Sequence, residues 1–506
     1  MDNKGDFRLN DGAFSQYLSR RNLLANTATG LASIAFSSLL KAEEAFRPQI
    51  SAAQPNAMRS PELKAKAKQV LLIFCSGGVS HVDTFDHKPL LAKLDGKPMP
   101  GADKIITQQG GQGNILKSPW AFKPRGESGK LTSDLLPLIG QNNVDDMCFI
   151  HSMTSKSSSH GQAENFMSTG NVLNGFPSVG AWFSYALGTF NQDLPAFVTI
   201  PDPRGVPQSS VNNWGSGYLP GVFQATAFNA VKDMANLQSP WRMSPAKERG
   251  IRDYLEFVNH KHLDKNKGDT NLAARIASYQ LAARMQLAVP EITDLSDEPE
   301  YIREMYGLNA EKGVNKAKDK FSTAKYKAAF GKNCLLARRL LEKGVRFVQL
   351  VNGAYQAGGE GASNWDTHSD LELFNNSIHG PILDQPISAL LSDLKMRGMM
   401  DETLVVFCSE FGRMPTVQAK KKAGRDHNPD GFTVWLSGAG VKAPYSFGAT
   451  DEFGYRAVKN VLSVHDFHAT IMHLLGFDHE RLTYYNNGFE RRLTDVHGKV
   501  IKEILA

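Results

Sequence analysis

Six consecutive residues, Val70 to Cys75, are apolar and partly β-branched. A run without polar alternation predicts a strand buried on both faces of a parallel sheet. The apolarity stops at Gly77-Gly78, where a sharp turn is allowed that residues with a Cβ resist. Comparable runs over Met147–His151, Pro195–Ile200, Arg346–Val351, Thr403–Cys408 and Phe432–Ser437 predict further strands. Helical spacing appears between them. Leu335, Leu336, Leu340 and Leu341 lead to Gly344, placed where a C-cap glycine belongs. A long helix is expected over Ile382–Arg397, and another from Ser463, a plausible N-cap, through Ile471 and Leu475 to Gly476. Short helices are expected within Asp86–Gly129, otherwise loop, and over Ser133–Ile139. Strands alternating with helices of this length predict an α/β fold, a mostly parallel, doubly wound sheet sandwiched by helices. From Pro201 to Lys325 the pattern changes to loops and helices. There Leu272, Ile276, Tyr279 and Ala283 fall on one helical face. Residues 201–325 are therefore expected as an insertion or cap within a domain running from 69 to 506.

The first 45 residues have a different character. Ser19-Arg20-Arg21-Asn22-Leu23-Leu24 precedes a mildly apolar run to Leu40. Paired arginines before such a run have the form of a twin-arginine export signal. The run holds too many Ser, Thr, Asn and Gly residues for a comfortable membrane span, which needs about 20 mostly apolar residues. Left uncleaved, it would serve as an anchor. The expectation is a periplasmic or exported protein that engages the twin-arginine export machinery and has no other membrane span. Residues 46–68, rich in Ala, Pro, Lys and Ser, read as a linker.

Composition narrows the choice. The chain of 506 residues is 41% hydrophobic and 21% charged, which fits a globular protein with a large core. The net charge of +6 is modest and dispersed, which speaks against a nucleic-acid partner. Cys75, Cys148, Cys334 and Cys408 show neither zinc-finger spacing nor a disulfide framework.

Four polar clusters follow predicted strands: His81, Asp83 and Asp86; His151 with His160; Asp366 with His368; and Glu410 with Arg413 and Asp426-His427. In an open α/β sheet, ligands bind beyond the carboxyl ends of the strands. If the sheet is parallel, the four clusters meet at one edge. Mixed carboxylates and imidazoles suit zinc or manganese, whereas carboxylates alone suit calcium or magnesium. Arg413, Lys420, Lys421, Lys422 and Arg425 read as a solvated basic loop or as a positive rim for an anionic substrate. Arg413 has the planar fork that suits phosphate or sulfate.

Taken in order, GGVSHVDTFDHKP, HGQAENFMSTG, NWDTHSD, SEFGRMP, GRDHNPDG and VHDFHATIMHLLGF resemble the exported bacterial family DUF1501, from about Val70 to the C-terminus. That family is grouped with the alkaline phosphatase and sulfatase superfamily. The resemblance implies an alkaline-phosphatase-like fold and a metal-dependent hydrolase of a sulfate or phosphate ester, with an anionic small molecule or glycan as substrate. It implies Asp366, His368 and His427 as one metal site. Asp83, Glu410 and either His81 or His160 form an altered second site, so one or two divalent ions are expected, zinc first. Spacing back from Thr169-Gly170 puts His160 where the superfamily has a hydroxyl or modified-cysteine nucleophile. His160 thus stands as nucleophile, acid–base group or ligand, with Arg413 orienting the anion. The missing hydroxyl also admits a non-catalytic metal-containing binding or scaffold protein.

Overall fold

The computed structural model describes residues 45–51, 54–101, 112–230, 244–266, 269–315, 318–355, 361–418 and 422–506. The export segment expected over 1–45 lies, apart from Ala45, outside the described residues, as do Lys420 and Lys421.

Among the described residues, one nine-stranded sheet organises the chain. Its strands are β1 (Gln69–Cys75), β2 (Met147–Thr154), β3 (Phe197–Ile200), β4 (Thr226–Ala227), β5 (Phe347–Asn352), β6 (Thr403–Cys408), β7 (Phe432–Gly438), β8 (Tyr445–Phe447) and β9 (Leu462–Ser463). The order across the sheet is β8–β2–β7–β6–β1–β5–β3–β4, with β9 also on β2. β1 lies between β5 and β6 and runs parallel to both. β3 and β4 continue that sense. β7 alone runs against its neighbours, β6 and β2. The sheet is therefore mostly parallel, as expected.

The helices used below are α1 (Pro137–Asn143), α2 (His160–Thr169), α3 (Val179–Leu187), α4 (Pro245–Lys265), α5 (Thr270–Thr293), α6 (Thr323–Glu342), α7 (Gly380–Met396) and α8 (Val464–Leu474). Side chains of a strand alternate between faces. Leu71, Ile73 and Cys75 of β1 enter a core with Leu336 and Leu340 of α6 and Leu383 and Leu390 of α7. Val70, Leu72 and Phe74 enter the opposite core with Trp182 of α3 and Phe467 and Ile471 of α8. With both faces covered, an unbroken apolar run is the stable choice for β1. All four cysteines are buried and free.

Several expectations change. Residues of the 46–68 segment are docked rather than loose: the Phe46 amide donates to Arg481 O at 2.6 Å and the Leu63 amide to Gly476 O at 2.7 Å. The 201–325 stretch supplies edge strand β4 and core residues Met285, Val289 and Ile292 of α5. On α5, Ile276 is buried but Tyr279 is 65% exposed, so the packed face turns toward Met285 and Val289. α1 starts later than expected, at Pro137, because Lys130–Ser133 pairs in a hairpin with Phe122–Arg125. No helix among the described residues is long and apolar enough to cross a membrane.

Candidate metal centre

The segments beside several strand ends bring the polar side chains together. β1 empties into Gly77, whose φ of +105° favours glycine. A Cβ there would lie 2.5 Å from Trp365 N and 2.7 Å from Asp366 N. This close approach seats the loop after β5 against the end of β1, held by the Trp365 amide on Ser76 O at 3.1 Å. Asp366 and His368 stand on that loop. β2 leads to α2, whose first residue is His160. The reversed β7 brings its starting end to the same edge. Just before it, His427 pairs with Arg413 in a short antiparallel ribbon.

His160, Asp366, His368 and His427 converge, with one ligand atom of each within 4.8 Å of the others. Asp366 Oδ1 lies 2.7 Å from His368 Nε2 and 3.1 Å from both His160 Nε2 and His427 Nε2. His368 Nε2 and His427 Nε2 are 3.0 Å apart. Each ring turns its other nitrogen to an acceptor. His160 Nδ1 meets Glu410 Oε1 at 2.7 Å, His427 Nδ1 meets Ser158 O at 2.5 Å, and His368 Nδ1 meets the side-chain oxygen of Gln418. An oxygen acceptor at Nδ1 fixes the proton there and leaves the lone pair on Nε2. Three lone pairs and a carboxylate then face one another, an arrangement that repels unless a cation or proton lies between them. His160 Nε2 is buried and has no hydrogen-bond partner. The four residues therefore fit a divalent cation.

The electrostatics agree. Burial alone would raise the Asp366 carboxyl. The Arg413 guanidinium and the three imidazoles overcome that and hold it well below the usual carboxylate range. Burial works against a charged His160, yet the Asp366 and Glu410 carboxylates beside it push it up to about 9. Burial, helped by Arg413 and His160, pushes His427 down to about 4. With no cation between them, a proton on His160 would take the central place, and a bound cation would displace it.

The other expected site residues fall elsewhere. Asp83 is fully buried, and both its oxygens are held by Arg425, Oδ2 by Nε at 2.7 Å and Oδ1 by Nη2 at 2.9 Å. Clamped in this way, Asp83 stands with Arg425 and outside the group of four. His81 is buried with Nε2 on Gly454 O at 2.7 Å and does not join the group. Glu410 stands behind His160 rather than within the group of four. Arg413 is fully buried: Nε donates to Gly78 O at 2.9 Å, Nη1 to Arg425 O at 3.1 Å, and Nη2 to Gly77 O and, at 2.6 Å, to Asp366. So engaged, it holds Asp366 and is not open to an incoming anion, which corrects its expected role. Arg425 likewise leaves the supposed rim, and Lys422 pairs with Asp370 at 3.0 Å on the surface. Asp86 pairs with Lys88 at 3.1 Å. His151 bonds Lys130 and Thr433. Ser158 and Gln418 escaped the sequence reading. One contributes only its carbonyl, which residue identity cannot reveal, and the other lies in no recognisable motif.

Among solved structures, the lipoteichoic acid synthase LtaP from Listeria monocytogenes is similar at 11% identity and a TM-score of 0.33, covering 87% of this chain and 79% of its own. The alkaline phosphatase of the Antarctic bacterium TAB5 is similar at 11% identity and a TM-score of 0.29, covering 75% and 92%. A protein in the alkaline phosphatase superfamily from Vibrio parahaemolyticus is similar at 10% identity and a TM-score of 0.32, covering 87% and 74%. No curated protein matches the chain. A family model described as a protein of unknown function matches residues 67–505, and the chain belongs to that family, DUF1501.

Proposed function

We propose that the protein is a metal-dependent hydrolase of an anionic ester, sulfate or phosphate, working in the cell envelope after twin-arginine export. The observation that carries this reading is the meeting of His160, Asp366, His368 and His427 at one sheet edge. Three imidazoles and one carboxylate suit zinc first and manganese second; calcium and magnesium prefer oxygen ligands. One ion per chain is expected, because Arg425 already neutralises Asp83. When bound, the cation supplies Lewis-acid polarisation of the ester oxygen and offsets charge in the transition state.

The chain's own residues do the rest. His160 and Asp366 keep 10% and 13% of their side chains exposed, against 4% and 3% for His368 and His427. An ester therefore reaches the centre from the His160–Asp366 side. Arg413 keeps Asp366 charged and fixed. No hydroxyl or thiol belongs to the group, so water is the nucleophile in this reading.

A second reading follows from the four-residue ligand set and the engaged Arg413. Four protein ligands can close a structural site, whereas catalytic zinc sites keep a position open. The protein would then hold metal without turnover, as a binding or scaffold protein. Elemental analysis of purified protein should find one equivalent of metal, lost in Asp366→Ala and His427→Ala. Hydrolysis of nitrophenyl phosphate or sulfate, abolished in the same variants, supports the hydrolase. Metal without turnover supports the scaffold, and retention of metal by both variants rejects the ligand assignment.

A further inference from the structure

Behind the His160 ring, away from the other ligands, lies a carboxylate with an unusual set of partners. Glu410 is fully buried. Its Oε1 accepts from His160 Nδ1 at 2.7 Å and from the Gly77 amide at 2.8 Å. Its Oε2 lies 3.0 Å from the Ser409 hydroxyl, which shares its single proton between this oxygen and Cys75 O at 2.7 Å. These donors come from the head of α2, the turn leaving β1 and the end of β6. No lysine or arginine touches it among these contacts. A buried carboxylate is costly unless bonded and charge-balanced, and here the histidine is the only partner that can carry the balancing charge.

The three Nδ1 acceptors are also unequal. Ser158 and Gln418 offer neutral carbonyl oxygens. Glu410 offers a charged oxygen, which makes a hydrogen bond roughly twice as strong as a neutral one. An acceptor of this kind fixes the ring's orientation and raises the donor power of its far nitrogen. That nitrogen, His160 Nε2, is the one without a hydrogen-bond partner. The geometry points to Glu410 as a positioning residue: it holds the His160 ring in the rotation and tautomer that turn Nε2 to the centre, and so sets how tightly the centre grips its cation. This inference rests on the reading of the tetrad as a cation site.

Cobalt(II) is a suitable probe, titrated into the full chain after removal of metal, with visible absorbance and chelator competition as readouts. Glu410→Gln, folded by near-ultraviolet circular dichroism, should bind one cobalt about 10–100-fold more weakly, with a shifted ligand-field spectrum. In a His160→Ala background, Glu410→Gln should change affinity no further, because the effect runs through the ring. A variant that matches the parent in affinity and spectrum overturns the role, as does a full additional loss in the His160→Ala background. Should Glu410→Gln fail to fold, Ser409→Ala removes one donor to the carboxylate and should weaken cobalt several-fold; unchanged affinity there also overturns the role. A parent that takes up no cobalt rejects the cation site itself, a result separate from a parent that binds and a variant that equals it.

Discussion

Asp83, fully buried, and Asp366, partly buried, both lie beyond strand ends, and each meets a guanidinium. The outcome differs because Arg425 takes both oxygens of Asp83, whereas Arg413 takes Oδ1 of Asp366 from one side and three imidazoles approach from the others. In sequence the two aspartates look alike. What separates them is an arginine 342 positions from Asp83, which no local spacing encodes. Removing one partner of a buried ion pair leaves an uncompensated charge, at a cost of about 3–5 kcal/mol. Arg425→Met should therefore lose stability of that order in urea unfolding. Asp83→Asn should still carry one equivalent of metal by elemental analysis, and a fall toward zero would restore Asp83 as a ligand.

Helix α2 presents His160 at its head, and its tail is held by α8. His468 Nε2 donates to Met167 O at 2.9 Å and His465 Nε2 to Gly170 O at 2.8 Å, serving carbonyls that the end of α2 leaves unpaired. Burial, with His465 nearby, pushes His468 down to about 3. Its unfolded value is about 6.5. A depressed imidazole contributes stability that is present above about pH 6.5 and is lost as pH falls toward the folded value. His151 and His379, likewise pushed down to about 3 by burial, act in the same sense, whereas Glu164, pushed up to about 7, and Asp384, up to about 6, run the other way, so the parent's own slope is a sum over several groups. His468→Asn isolates one proton. Between pH 7 and pH 5 it should lose about 2 kcal/mol less than the parent in urea titrations. Equal losses would remove His468 from the linkage. At this scale the sequence was legible where burial was complete, as in β1 and β6. It was silent on the Phe122–Arg125 hairpin strand, whose middle residues Lys123 and Pro124 are exposed, and on the short edge strands β8 and β9.

Across the whole molecule, the meeting of distant motifs was readable because parallel strands must share an edge, and Asp366, His368 and His427 come together there with His160. The division of labour was not readable. Whether Glu410 faces a metal or the back of a ring depends on side-chain direction, which spacing leaves undetermined. Export belongs to this scale too: replacing Arg20 and Arg21 together by Lys should leave the protein in the cytoplasmic fraction, and unchanged delivery to the envelope would reject the twin-arginine reading. The reversed strand β7 carries one more implication. It slots between β2 and β6, and His427 arrives with it. A growing chain that has not yet reached Gly438 holds a sheet with a gap and two bare strand edges, the state most open to sticking to its neighbours. The centre thus closes only once β7 is in place, and under the proposed export a captured ion would mark a chain that had finished folding first.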